Sequence, residues 1–136
     1  MRSIFAALAV GFLVFYPFKG SAQSEEAIQS VISDQIAALQ MDDYPTAFGY
    51  ASQSIQSIFG TPERFGQMVQ AGYPMVHRPG TVAFLEPGDL QGDLWQRVLI
   101  HDQAGQPYIL NYQMVQQGSE WKINAVYLSE APDLGV

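Results

Sequence analysis

Residues 58–74 read IFGTPERFGQMVQAGYP, and this stretch decides the fold. Thr61 and Pro62 stand in the cap-then-proline order that begins a helix, and Gly72 is well placed to end one. The residues between them carry an apolar stripe at helical spacing, made of Phe65, Met68 and Val69. The stretch therefore predicts a short helix with one buried face, which ends at an aromatic-proline corner, Tyr73-Pro74.

Three further helical segments are predicted before this stretch. Residues 24–39 show the three-four spacing of an amphipathic helix, with Ser24 as its N-cap. Its apolar face is formed by Ile28, Val31, Ile32, Gln35, Ile36 and Leu39. Asp42-Asp43 interrupts that pattern, Pro45 opens a second, shorter helix, and a third turn spans residues 54–59.

Beyond Thr81 the apolar period changes from helical spacing to two, which is typical of strands. We predict strands over Thr81–Glu86, Leu94–Asp102, Pro107–Gln116 and Trp121–Leu128, with Pro87-Gly88 as a turn. Residues 102–105, Asp-Gln-Ala-Gly, have good type I turn chemistry. Helices followed by an antiparallel sheet predict an α+β fold in a single domain, residues 23–136.

Side chains alternate across a sheet, so the turns also predict which residues pair. The first hairpin pairs Ile100 with Tyr108, Val98 with Leu110 and Gln96 with Tyr112. The second pairs Met114 with Ile123, Tyr112 with Ala125 and Leu110 with Tyr127. The face that the helices should cover then carries Val98, Ile100, Tyr108, Leu110, Tyr112, Met114, Trp121, Ile123 and Tyr127. The opposite face carries Trp95, Arg97, Leu99, His101, Ile109, Asn111, Gln113, Lys122, Asn124, Val126 and Leu128.

The first 22 residues have the features of a signal peptide. Arg2 supplies a positive charge, residues 3–18 are almost continuously apolar, and Ser21-Ala22 offers small residues for cleavage. A retained membrane anchor is the alternative, but the run is short for a bilayer that needs about 20 apolar residues, and Pro17 interrupts it. We therefore expect a periplasmic or secreted protein with no stable membrane anchor after cleavage.

Charge and composition exclude several classes of function. The chain has six Lys and Arg against thirteen Asp and Glu, a net charge of −7, and cleavage would leave four cations against the same thirteen carboxylates, a net charge of −9. Four scattered cations cannot displace the counterions of a phosphate backbone, so we expect no nucleic-acid partner. The chain has no cysteine and only two histidines, and no motif with metal-ligand spacing, so we expect neither a metal nor a cofactor.

Several of these motifs together resemble a known family. Residues 59–65 (FGTPERF), Met68-Val69, Gly72-Tyr73-Pro74 and Arg78-Pro79 resemble an exported bacterial family, domain of unknown function 4864. Residues 102–105, 112–113 and 121–123 fit its C-terminal half. The order of helices and strands also resembles the NTF2-like (cystatin-like) superfamily. That resemblance implies a cone-shaped fold, with a cavity between helices and sheet and often a dimer. It implies no activity.

The predicted cavity has a candidate ligand-binding lining: Tyr73, His77, Gln96, Tyr112 and Tyr127. Members of the wider superfamily that resemble ketosteroid isomerase or dehydratases place an acid or a histidine beside tyrosines in that cavity. Here the predicted inner face of the last three strands carries no carboxylate, and His77 is predicted to lie in a proline-flanked loop. We therefore predict a non-catalytic module that binds a small apolar or amphipathic ligand or a protein, with a cavity enzyme of the isomerase or dehydratase type as the alternative.

The outer sheet face is too apolar to meet water across its whole width. A homodimer formed through that face would explain this composition. A protein-interaction module is accordingly the third function that the sequence supports.

Overall fold

A computed structural model describes residues 22–129 of the protein. Within that range five helices precede four strands. The helices are α1 (Ala22–Gln40), α2 (Tyr44–Gly49), α3 (Gln53–Phe59), α4 (Pro62–Gly72) and α5 (Pro74–His77), and the strands are β1 (Pro79–Leu90), β2 (Asp93–Asp102), β3 (Pro107–Gln117) and β4 (Glu120–Ser129). The predicted signal peptide lies outside the described residues except for Ala22, as does the tail after Ser129.

Short polar side chains begin three of the helices. Asp43 accepts a hydrogen bond from the Thr46 amide, Ser52 from the Ile55 amide, and Thr61 from the Arg64 amide. These caps confirm the predicted break at Asp42-Asp43, and α4 begins at the predicted Thr61-Pro62. The prediction for Ser24 is wrong, because this residue lies inside α1 rather than at its cap.

The four strands form one open antiparallel sheet in the order β1-β2-β3-β4. The helices come first and pack on one face of this sheet, so the predicted α+β class is confirmed. The architecture is consistent with an NTF2-like cone. The core lies between α1, α4 and α5 on one side and β2–β4 on the other, and its members include Ile28, Ile32, Leu39, Phe65, Val69, Val98, Ile100, Leu110, Tyr112 and Ile123.

The prediction of a turn at Pro87-Gly88 is wrong. Strand β1 continues through an irregularity between Phe84 and Pro87, and Pro87 pairs with Gln96. The turn lies instead at Gln91-Gly92, where both residues have positive φ angles of 55° and 87°. Pro87 is tolerated because β1 is an edge strand, where a missing amide donor need not cost a ladder hydrogen bond.

The predicted pairing of β2 with β3 is confirmed at Gln96–Tyr112, Val98–Leu110 and Ile100–Tyr108. The turn that fixes it is also as expected, with Gly105 at φ 90° and the Asp102 carboxylate accepting hydrogen bonds from the Ala104 and Gln106 amides at 3.0 and 2.8 Å. The Asp102 carboxylate thus takes the place of water as the acceptor for two amides of the turn, and this holds the hairpin in one register.

The predicted pairing of β3 with β4 is right only for the part near the turn. Met114 pairs with Ile123, but a bulge follows, and Tyr112 pairs with Val126 rather than with Ala125. One extra residue in a strand reverses the faces of all residues beyond it. Consequently Val126 and Leu128 lie on the inner face, where Leu128 pairs with Leu110, and Tyr127 pairs with Asn111 on the outer face. All three positions are opposite to the prediction.

Candidate functional site

A cavity of about 400 Å³ lies between the helices and the inner face of β3 and β4. Its lining is mostly aliphatic and aromatic and consists of Gln35, Leu39, Ala51, Ile55, Phe59, Phe65, Met68, Val69, Tyr73, Val76, Tyr112, Ile123, Ala125, Val126 and Tyr127. Cavities of about 300–1,000 Å³ with few polar groups are typical of small-molecule sites. This cavity is therefore the candidate functional site.

The cavity has a closed end and an open side. Leu39, Phe65 and Tyr112 belong to the buried core at the closed end. Phe59 and Met68, by contrast, are partly exposed, as are Ala125 and Val126 of β4, and Tyr127 is exposed. This gradient places the mouth between α3, α4 and β4.

Hydrogen bonds attach the wall of the cavity on β4 to the segment between α2 and α3. The Ser52 amide donates to the Ile123 carbonyl at 2.8 Å, and the Ile123 amide donates to the Tyr50 carbonyl at 3.0 Å. The Ser52 hydroxyl donates to Asn124 Oδ1 at 2.7 Å, while Asn124 Nδ2 donates to Gln113 Oε1 at 2.9 Å. Asn124 is the extra residue of the β4 bulge, so its two hydrogen bonds hold that bulge in place.

Tyr112 is the deepest polar residue of the lining. It lies on β3, is 1% exposed, and its hydroxyl hydrogen-bonds no group within residues 22–129. Burial raises the pKa of this phenol far above its ordinary value, and the nearby Tyr73 adds to the effect. Tyr112 therefore stays protonated and keeps its hydroxyl available as a hydrogen-bond donor.

Tyr73 and Gln35 are the other polar residues near the closed end, and each has a partner in the protein. The Tyr73 hydroxyl donates to the Val126 carbonyl at 3.0 Å. Gln35 Nε2 donates to the Ala47 carbonyl at 3.2 Å, and its side chain is 4% exposed. Both bonds cross between elements, so they fix the shape of the cavity as well as satisfying polar groups.

Two of the predicted site residues lie away from this cavity. Gln96 is fully buried in β2, where its Nε2 donates to the carbonyls of Leu85 and Arg97 at 2.7 and 2.8 Å. Leu85 belongs to the irregular part of β1, so Gln96 fills the place of a missing ladder bond there. Gln96 is thus better placed to stabilise β1 than to meet a ligand.

His77 ends helix α5 and does not lie in a loop, which corrects the prediction. Pro74 occupies the first turn of that helix. The His77 ring contacts Asp42 at 2.7 Å, outside the cavity lining, and Arg78 contacts the same carboxylate at 3.2 Å. The His77 hydrogen bond, followed by that of Arg78, lowers the pKa of Asp42. This cluster joins the end of α1 to α5.

Tyr127 borders the cavity but directs its ring elsewhere. Its ring lies against Trp95 with 5.6 Å between the centroids, and the residue is 61% exposed. Both residues also line a groove on the outer face, with Arg97, Asn111 and residues 86–90. Of the five predicted site residues, the structure thus brings Tyr73, Tyr112 and Tyr127 to the cavity.

Sequence reasoning missed several residues of the lining. Gln35 appears in the sequence as one more member of the apolar face of α1, and nothing in the pattern separates it from a core residue. Val126 reaches the cavity only because of the bulge at Asn124, whereas the predicted register already pairs Ala125 with Tyr112. The apolar residues of α4 were expected to cover the core, and Phe65, Met68 and Val69 do line the cavity.

The described part of the chain lacks two other kinds of site. No helix within residues 22–129 is long and apolar enough to cross a membrane. Over the same range, no group of three or more His, Asp or Glu side chains has an arrangement that could hold a metal ion.

Comparisons with known proteins identify a family. No curated protein and no solved structure gives a significant match to the chain. The family described as Domain of unknown function (DUF4864) matches residues 21–136, which is most of the chain, and the protein therefore belongs to that family.

Proposed function

We propose that this protein is an exported, non-catalytic binding module of NTF2-like fold, whose cavity takes a small apolar or amphipathic molecule. The observation that carries the proposal is the cavity of about 400 Å³ with its largely apolar lining. Burial of apolar ligand surface is favourable by about 25 cal/mol per Å² before the costs of association are subtracted. A largely apolar molecule that fills this cavity therefore gains binding free energy from most of its surface.

The lining favours binding over catalysis. An isomerase or dehydratase of the cavity type needs a general base within reach of its substrate. Among residues 22–129, the cavity is lined by no carboxylate and no imidazole. His77, which the sequence predicts for the lining, is hydrogen-bonded to Asp42 outside the cavity. Tyr112 cannot serve as that base, because burial raises the pKa of its phenol and keeps it protonated.

Export is the second part of the proposal and rests on sequence. Arg2, the apolar run of residues 3–18 and the small residues before Gln23 together have the order of a cleavable signal. Mass spectrometry of the protein from the envelope fraction tests this part. We expect a mature chain that begins at Gln23, and a chain that retains Met1 in the cytoplasmic fraction would contradict it.

A titration with N-phenyl-1-naphthylamine, a neutral fluorophore, tests binding in the cavity. We expect saturable enhancement of its fluorescence by the unmodified protein. Met68→Trp fills the cavity and should weaken binding at least about tenfold, whereas Met41→Trp places the same ring on the surface, since Met41 is 79% exposed, and should leave binding unchanged. Equal affinities of both variants for the probe would refute a cavity site.

A homodimer through the outer sheet face is a second candidate, favoured by the ring contact between the partly exposed Trp95 and the exposed Tyr127. Aromatic residues are enriched at protein interfaces, and Tyr127 is 61% exposed. Sedimentation at micromolar concentration tests this candidate. We expect a dimer that Tyr127→Asp converts to a monomer, while a monomer in the unmodified protein would count against it.

A further inference from the structure

The polarity of the cavity is confined to its closed end. The Tyr73 hydroxyl and the Gln35 amide nitrogen donate to backbone carbonyls, whereas the Tyr112 hydroxyl donates to no group of the described chain. Among the described side chains, the one polar atom that is sealed from solvent without a partner is Gln96 Oε1. The Tyr112 oxygen therefore borders open volume and is not enclosed by packed atoms.

A hydroxyl that faces an apolar cavity without a partner in the protein lowers stability, because the cavity replaces little of the hydration that it loses, and native proteins seldom keep one without a reason. Phenylalanine would fill the same place on β3 at no such cost. A tyrosine at position 112 is explained if a ligand in the cavity accepts a hydrogen bond from its hydroxyl. Since the phenol stays protonated, that molecule must supply the acceptor.

The lining also restricts the charge of such a molecule. Within residues 22–129, no Asp, Glu, His, Lys or Arg side chain lines the cavity. A charge transferred from water into such a site without a partner is strongly disfavoured. A carboxylate, a phosphate or an ammonium group in this position would find no counter-charge.

Resting on the proposed function, in which the cavity binds a ligand, we propose that the ligand is an uncharged, largely apolar molecule with one hydrogen-bond-accepting oxygen. The Tyr112 hydroxyl donates to that oxygen at the closed end of the cavity. The apolar body of the ligand lies toward the mouth, against Phe59, Met68 and Val126.

Three naphthalene probes of equal size separate these requirements: 2-acetylnaphthalene, a ketone; 2-isopropenylnaphthalene, in which a methylene group replaces the oxygen; and 2-naphthoate, an anion. Calorimetric titration gives the affinity of each for the unmodified protein and for Tyr112→Phe. We expect the ratio of ketone to alkene affinity to fall about tenfold in Tyr112→Phe, the size of one hydrogen bond. Naphthoate should bind the unmodified protein at least about tenfold more weakly than the ketone.

Tyr108→Phe is the matched control, because its hydroxyl lies 3.4 Å from the Asp102 carboxylate and outside the cavity lining. It should leave the ratio unchanged. Tyr112→Phe should melt no lower than the unmodified protein, and a clearly lower melting temperature would mean that the hydroxyl has a partner in the protein.

The outcomes distinguish this proposal from the function on which it rests. If the ketone and the alkene bind with the same ratio in both proteins, or if naphthoate binds most tightly, the cavity is a binding site but the assigned ligand chemistry is wrong. If none of the three probes binds, the cavity proposal and the present one both fall.

Discussion

Gly66→Ala tests how α4 packs on α2. Gly66 lies in the interior of α4 and is buried, and a methyl group on its Cα would lie 2.6–2.7 Å from three ring carbons of Tyr44. That ring is not free to move aside, because its hydroxyl donates to Asp42 Oδ1 at 3.2 Å and accepts a hydrogen bond from Gln70. The glycine is required for this close approach and not for an unusual φ angle.

Two opposed terms set the size of the effect. Alanine in place of glycine inside a helix stabilises by about 1 kcal/mol, while overpacking costs about 1–3 kcal/mol. We expect Gly66→Ala to lower the free energy of unfolding by up to about 2 kcal/mol. In a Tyr44→Ala background the steric cost disappears, and the same substitution should stabilise by about 1 kcal/mol.

Urea unfolding of the four proteins of this cycle measures the coupling between the two residues. Its expected size is the overpacking cost, about 1–3 kcal/mol. Gly72→Ala is the control in the same helix, since a methyl group there would meet nothing within 4 Å. If Gly66→Ala stabilised the protein as much as Gly72→Ala does, the Tyr44 ring would not lie on α4 as described.

Three further substitutions test other parts of the structure. Ser52→Ala removes both a helix cap and the hydroxyl that holds the β4 bulge, so it should lower the free energy of unfolding in urea by about 2–3 kcal/mol. Thr61→Ala removes a cap alone and should lower the same free energy by about 1 kcal/mol. Trp121→Ala should cost about 3 kcal/mol, at the low end for a tryptophan because the side chain is only partly buried, and an unchanged melting temperature would place it off the inner face. The pKa of Asp42 is lowered from 3.8, chiefly by the His77 hydrogen bond, so the ionised carboxylate stabilises the fold at pH values above 3.8, and this stabilisation is lost as the pH falls through the lowered pKa. Asp42→Asn should therefore lower the melting temperature at about pH 6 but not at about pH 2. An equal loss at both pH values would show that the stabilisation does not come from the ionised carboxylate.

Much of the fold is predictable from local chemistry. Residue types that begin helices, here Pro45 and Thr61-Pro62, locate two of them, and the Asp102–Gly105 turn fixes the β2–β3 register over its length. Prediction of secondary structure fails where a proline is compatible with both a loop and the first turn of a helix. Pro74 and Pro79 together suggest a loop around His77, yet Pro74 serves in the first turn of a helix. Single-residue preferences cannot decide between these uses, because the decision depends on what packs against the segment.

The site is less predictable than the fold. Tyr112 could be assigned to the inner face because the register of β3 with β2 follows from a turn. The partners of its hydroxyl could not be assigned, since they depend on distances between elements. Gln96 shares that face and was expected at the cavity, but the irregularity of β1 near Leu85 draws its amide to a backbone carbonyl instead. Alternation predicts the face of a side chain and not the group that it meets.

The bulge at Asn124 connects the fold to both candidate surfaces. Without the extra residue, strict alternation would place Tyr127 in the cavity and Val126 outside it. With the bulge, Val126 closes the apolar wall and offers its carbonyl to a tyrosine, while the Tyr127 ring lies on Trp95 at the outer face. A tyrosine ring in the cavity would occupy much of the volume that a ligand needs. The hydrogen bond from Ser52 to Asn124 therefore does more than stabilise a strand, since the register it holds keeps the cavity open and exposes the aromatic pair.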